Sequence, residues 1–249
     1  MWKIDNVFQA RIDEGGTPDE VDAIAEHIRE IGEQMVANYQ PSPDVMLDKE
    51  QGIIPRCLIF EKESRNPHGQ GSVVVGVNPG NGLWPEERQF YRECGCSYDA
   101  VVKFWPRVSE YSRYYKLLTG FLNAAGLDGP ILWTELVKCE SKQGTVLSIE
   151  TIRKDINRYL FRELEKIPDD WPLIGIGRRA YEILAYQFCD RQVIGIPHPT
   201  SSHGQFAALF PSSKAIEPNA KEKLADLLRS KDTVAVWFSC SKGKGCRAE

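Results

Sequence analysis

Val73-Val74-Val75-Gly76-Val77-Asn78-Pro79-Gly80 is the stretch that decides how this chain is read. Its valines form a short apolar run closed by a turn, the pattern of a buried strand. A Gly-x-Asn-Pro-Gly turn directly after such a strand is tight backbone that can approach a ligand, with Asn78 offering a neutral polar side chain to the crevice. Taken alone, Asn-Pro-Gly is an ordinary turn. Its weight comes from the rest of the chain.

Upstream, Cys57-Leu58-Ile59-Phe60 reads as a second strand, separated from the first by the polar turn Ser64 to Gly69. Val21, Ile24, Ile28, Ile31 and Met35 step by three and four through residues 18–39, an amphipathic N-terminal helix preceded by Thr17. Downstream, helices are expected near 112–125, 149–167, 178–188 and 217–229. They alternate with strands near 131–137, 173–176 and 192–196 and with a last apolar run at 233–238. This alternation predicts an α/β fold, a largely parallel central sheet with helices on both faces, in one domain spanning 1–249. Sheets of this kind bind ligands outside the carboxyl ends of their strands. Residues 81–111 read as an inserted segment, and the tail 239–249 as small, charged and mobile.

With 249 residues, 42% of them hydrophobic, the chain can bury one full core. No run approaches the roughly 20 apolar residues needed to cross a bilayer, and the start Met-Trp-Lys-Ile-Asp lacks a signal-peptide pattern. A soluble, cytoplasmic monomer without a membrane partner is the expectation. The net charge of −4 means that any nucleic-acid contact is local. Lys214, Lys221, Lys223, Arg229 and Lys231 form a solvated helix face or, functionally, phosphate contacts. Seven cysteines, an odd number, read as free thiols rather than a disulfide framework. Cys94-Gly95-Cys96 with Cys240 and Cys246 matches zinc spacings poorly, so no metal or other cofactor is expected.

A second loop leaves another strand end. His198 is held between Pro197 and Pro199 and followed by Thr200-Ser201-Ser202-His203-Gly204. Its imidazole can donate to a developing anion, and the serine-rich run offers hydroxyls and backbone groups to phosphate oxygens.

In order along residues 73–205, four segments resemble the uracil-DNA glycosylase superfamily. Gly76-Val77-Asn78-Pro79-Gly80 is similar to the Gly-Ile-Asn-Pro-Gly loop of the mismatch-specific uracil/thymine branch. Arg113-Tyr114-Tyr115-Lys116-Leu117-Leu118 looks like the helix start that follows it, and Thr134-Glu135-Leu136-Val137-Lys138-Cys139 like the Thr-Asn-Val-Val-Lys-Cys of the iron–sulfur branch. His198-Pro199-Thr200-Ser201 is similar to the His-Pro-Ser loop that closes on DNA.

The resemblance implies a glycosylase that hydrolyses the N-glycosidic bond of uracil or another altered base flipped out of DNA. Asn78 would position the attacking water and His198 would stabilise charge on the leaving base. Gly76, Val77, Pro79 and Gly80 would shape the pocket, Pro199 and Thr200 the closing loop, and Ser201 or Ser202 would grip a phosphate. An aromatic ring would stack under the base. The insertion offers Trp84, Phe90, Tyr91, Phe104 and Trp105, of which Phe90 ranks first by its distance from the first loop, the alternative being that these are core aromatics.

Two departures matter. Glu135 stands where uracil-reading members carry asparagine, and an ionised glutamate only accepts hydrogen bonds. It would suit a base with an amino group, or burial could keep it protonated as a donor, or it could face solvent or an arginine. Of the iron–sulfur cysteines only Cys139 is present, so no cluster is expected. The alternative function is a nucleic-acid or nucleotide-binding protein of the same fold without the chemistry. An unrelated α/β hydrolase using His198 fits less well, since no Gly-x-Ser-x-Gly elbow occurs.

Overall fold

The computed structural model describes residues 18–63, 69–80, 85–211, 215–241 and 245–248. Along them run α1 (Pro18–Asn38), β1 (Ile59–Glu61), β2 (Ser72–Gly76), α2 (Pro85–Glu93), α3 (Tyr98–Tyr111), α4 (Arg113–Ala125), β3 (Ile131–Glu135), α5 (Ile149–Asp155), α6 (Phe161–Leu164), β4 (Leu173–Ile176), α7 (Arg178–Gln187), β5 (Val193–Ile196), α8 (Gln205–Leu209), α9 (Pro218–Ser230), β6 (Ala235–Ser241) and β7 (Gly245–Ala248). A π-helical turn, Ile156–Leu160, joins α5 to α6.

The strands lie in the order β1-β3-β2-β4-β5-β6-β7. β3, β2, β4, β5 and β6 are mutually parallel, and β1 and β7 close the two edges antiparallel. Every residue of β2, β3, β4 and β5 is buried, as expected of parallel strands that helices flank. β2 is followed by β3 on one side, and β3 by β4 on the other side of β2. The order of winding therefore reverses between β2 and β4. The Gly76 loop leaves the carboxyl end of β2, Glu135 ends β3, and His198 lies two residues beyond β5.

Local signals fix the helices. Ser97 caps α3 by accepting from the Ala100 N–H, Ser148 caps α5 by accepting from Thr151, and Glu217 caps α9 with Pro218 in the first turn. In α1, Ile24, Ile28, Ile31 and Met35 are buried as their spacing predicts, while Val21 is only partly so. Thr17 and most of the turn 64–69 lie outside the described residues.

The inserted segment contributes α2 and α3. In the tail, β6 and β7 pair as an antiparallel hairpin, with Trp237, Phe238 and Cys240 buried. The expectation that changes is that all the cysteines are free thiols. Cys240, opposite Cys246 in that register, is disulfide-bonded, whereas Cys57, Cys94, Cys96, Cys139 and Cys189 are free. Among the described residues no helix is long and apolar enough to cross a membrane.

An ion pair sits in the core just beyond β3. Lys138 and Glu163, both with wholly buried side chains, meet at 2.8 Å. The Lys138 ammonium also donates to the Thr134 hydroxyl at 2.7 Å and to the Glu135 carbonyl at 2.6 Å. Replacing one partner of such a pair strands the other charge in the core, at about 3–5 kcal/mol. Lys138→Met is therefore expected to lose about that much stability in urea unfolding, and Lys138→Met with Glu163→Leu to recover most of it. A single variant as stable as the parent would show that Lys138 does not neutralise Glu163.

Candidate active site at the carboxyl edge of the sheet

Strand register brings the first loop and the third motif together. Gly76 is the register partner of Glu135, and pairing continues past both strands, with Leu136 N–H donating to Gly76 O and Val137 N–H to Val77 O, each at 2.9 Å. A β-carbon on Gly76 would stand 2.1 Å from Glu135 Oε2, so the glutamate carboxyl occupies the space that a side chain at Gly76 would take and would have to move to admit one.

Glu135 lines a cavity with Cys57, Val74, Gly76, Tyr114, Tyr115, Trp133 and Thr134. The cavity is small, about 10 Å³, roughly what one water needs. The carboxyl group is buried, and its Oε2 has no hydrogen-bond partner. Of the alternatives for Glu135, facing solvent is excluded by its burial, while Arg56 does pull on it electrostatically without forming an ion pair. Arg56 is committed to Glu87 at 3.2 Å and Glu140 at 3.0 Å, and it donates to the Gly80 carbonyl. Burial pushes the Glu135 carboxyl up to about 8, against smaller opposing pulls from Lys138 and Arg56. At neutral pH the neutral acid predominates, and a neutral carboxyl carries one donor beside its acceptors.

The rest of the cavity wall is aromatic. Tyr115 packs edge-on against Trp133 at 5.4 Å and Trp105 at 4.6 Å, and Tyr114 packs against Tyr115 at 4.9 Å. Desolvation, followed by the nearby Glu135 and Cys57, holds both phenols well above their usual range. Cys57 adopts a positive φ of 62°, and its thiol, 3.8 Å from the Tyr115 hydroxyl, is pushed up to about 12 by burial first and by Glu135 second.

Tyr114 links the cavity to the second loop, its ring centroid lying 5.1 Å from that of His198. Nδ1 of His198 accepts from the Thr200 N–H at 3.3 Å and meets the Ser201 hydroxyl at 2.7 Å. This pattern assigns the neutral-ring proton to Nε2. Desolvation lowers the His198 pKa, favouring that neutral form. Thr200 and Ser201 are exposed and Pro199 half-buried, while the Ser202 hydroxyl accepts from the Phe206 N–H in the first turn of α8 at 3.1 Å.

Other candidates are placed differently. Asn78 is half-buried, its amide donates to the Pro79 carbonyl at 2.9 Å, and neither Asn78 nor His198 lines the cavity. Phe90 does not line the cavity: it packs on Phe104 at 5.4 Å, while α2 is anchored by Glu87, which pairs with Arg56 and accepts from the Tyr91 hydroxyl. Tyr91, Phe104 and Trp105 are buried core residues, and Trp84 lies outside the described residues. Cys139 is buried with its thiol raised by desolvation and Asp155. Among the described residues no group of three or more His, Cys, Asp or Glu side chains could hold a metal ion. Of the basic cluster, Arg229 pairs with Asp226 and Lys231 with Asp170 at 3.2 Å, and Lys214 lies outside the described residues.

Arg56, Cys57, Tyr115 and Trp133 surround the site without having been singled out as site residues. Arg56 and Cys57 precede β1 in sequence and carry no motif. Tyr114 and Tyr115 were legible only as a helix start. The sequence matches no known family model and no curated protein.

The raised pKa of Glu135 has a sign that can be tested. In the folded chain the group holds its proton up to about 8, whereas unfolded it releases it near the ordinary glutamate value. Its contribution to stability is therefore full in acid and is lost as pH rises towards the folded value. Glu135→Gln, which does not titrate, is expected to gain on the parent across that window, by roughly 2–5 kcal/mol at mildly alkaline pH. A stability difference that does not vary with pH would contradict the assignment.

Proposed function

We propose that this chain is a DNA glycosylase with a uracil-DNA glycosylase-like fold, which hydrolyses the bond between deoxyribose and a deaminated or otherwise altered base flipped out of DNA. The observation that carries the reading is the meeting of motif segments at one sheet edge: Glu135 lies across Gly76, and Tyr114 joins the same cavity to His198. Such an edge, at the carboxyl ends of parallel strands, is where open α/β sheets bind ligands.

In this reading the C1′–N bond breaks towards an oxocarbenium-like sugar and a base anion. Water supplies its hydroxyl to C1′ and its remaining proton to the base. Asn78 orients that water; being an amide, it does not titrate and is no general base. His198, neutral with its proton on Nε2, donates a hydrogen bond to the charge that develops on the base. Thr200 and Ser201, exposed on the second loop, are placed for a flanking phosphate. Tyr114 and Tyr115 take the stacking role first given to Phe90. Because the cavity holds about one water, a base enters only if an aromatic wall moves.

The test is a panel of oligonucleotides carrying uracil, hypoxanthine, xanthine or a thymine mismatch, single- and double-stranded, scored for abasic sites. The parent protein is expected to release at least one base, with Asn78→Ala and His198→Ala each slowed about 100-fold or more. Binding of DNA with no release from any substrate would favour the binding protein without the chemistry.

A further inference from the structure

The chemistry of the pocket narrows the class of base. Its walls are Val74, Cys57 and the rings of Tyr114, Tyr115 and Trp133, and the unpartnered polar atom facing it is Glu135 Oε2. A buried carboxyl oxygen with no partner is costly unless a ligand satisfies it.

The charges around it are already committed. From the segment after β3, Lys138 faces Glu135 but pairs with Glu163 and gives Glu135 only a bond to its backbone carbonyl. From the segment before β1, Arg56 is held by Glu87 and Glu140, and Cys57 is a half-buried free thiol. From α4 come the Tyr114 and Tyr115 phenols, and β2 contributes uncharged Val74 and Gly76. An ionised carboxylate here would be a buried charge without a counter-ion, so the neutral acid is the form the site accommodates.

We infer that neutral Glu135 reads the lactam edge of a base, its hydroxyl donating to a ring carbonyl and its carbonyl oxygen accepting from the adjacent ring N–H. That edge is carried by uracil, hypoxanthine and xanthine, the products of deamination, and also by thymine and guanine, whereas cytosine and adenine present an amino group beside a bare ring nitrogen. A neutral carboxyl thereby does what the side-chain amide of asparagine does, one donor and one acceptor side by side. The selection for an amino-bearing base, which an ionised Glu135 would impose, is reversed. The raised pKa of this carboxyl agrees with the geometry.

This inference rests on the glycosylase reading for its DNA context, yet it can be tested apart from it. The intact protein would be titrated, by NMR and by tryptophan fluorescence, with 1-methyluracil and 9-methylhypoxanthine, which keep the lactam edge. The controls are 1,3-dimethyluracil, whose edge is blocked, and 1-methylcytosine, which carries the amino edge. The lactam ligands are expected to bind at least about tenfold tighter than either control, the worth of one buried hydrogen bond.

Glu135→Gln is expected to keep that preference at both mildly acid and mildly alkaline pH, while the parent loses it on the alkaline side. Comparison with the Gln variant removes the ligand's own ionisation. Glu135→Leu is expected to abolish the preference, with Glu135→Gln serving as the folded reference.

A preference for 1-methylcytosine, no response to any of the four ligands, or a lactam preference unaltered in both variants would overturn the inference. Lactam-selective binding that depends on Glu135, without base release from any oligonucleotide, would uphold it and sink the glycosylase reading. Base release indifferent to Glu135 would do the reverse.

Discussion

Glu135 lies over a residue that has no side chain, and much of the site follows from that contact. The parallel register of β2 and β3 sets Gly76 beside Glu135, and any β-carbon at Gly76 would collide with the carboxyl group. The carboxyl is thereby held inside the sheet edge, away from water, where its charge has no partner and its proton is retained.

Two buried cations frame this arrangement without neutralising it. Lys138 ties β3 to α6 through Glu163, and Arg56 ties the first loop to α2 through Gly80 and Glu87. Tyr91 adds a 2.8 Å bond to Glu87, and Arg88 meets Glu140 at 2.8 Å, so the loop after β2 is braced by a small network. Each cation is matched by acids other than Glu135. A site that leaves one acid unmatched beside such matched pairs sets stability against a group kept ready for a ligand, the pattern in which perturbed titration accompanies function.

Much of the fold was legible because local signals agree with it. The apolar run ending at Gly76 is a strand, the alternation of helix and strand yields the parallel sheet, and the steps of Ile24, Ile28, Ile31 and Met35 mark the buried face of α1. His198 between its prolines was recognisable as a strand-end histidine, and Glu135 as an anomaly. What was not legible depends on distance in sequence. Arg56 and Cys57 reach the site only because β1 pairs with β3, and Phe90 was misjudged because nearness along the chain says nothing of where α2 docks. That Glu135 could be held protonated by burial was legible as one alternative; that Arg56 and Lys138 are taken up by other acids was not.

The most direct measurement is the titration of the Glu135 side-chain carboxyl carbon by NMR, using selectively labelled protein and Glu135→Gln to assign the signal. A resonance that stays in its protonated position through neutral pH and moves with a midpoint near about 8 is the predicted result. A midpoint in the ordinary range of glutamate, about 4 to 5, would show the carboxyl ionised in the folded chain and contradict the account of the pocket.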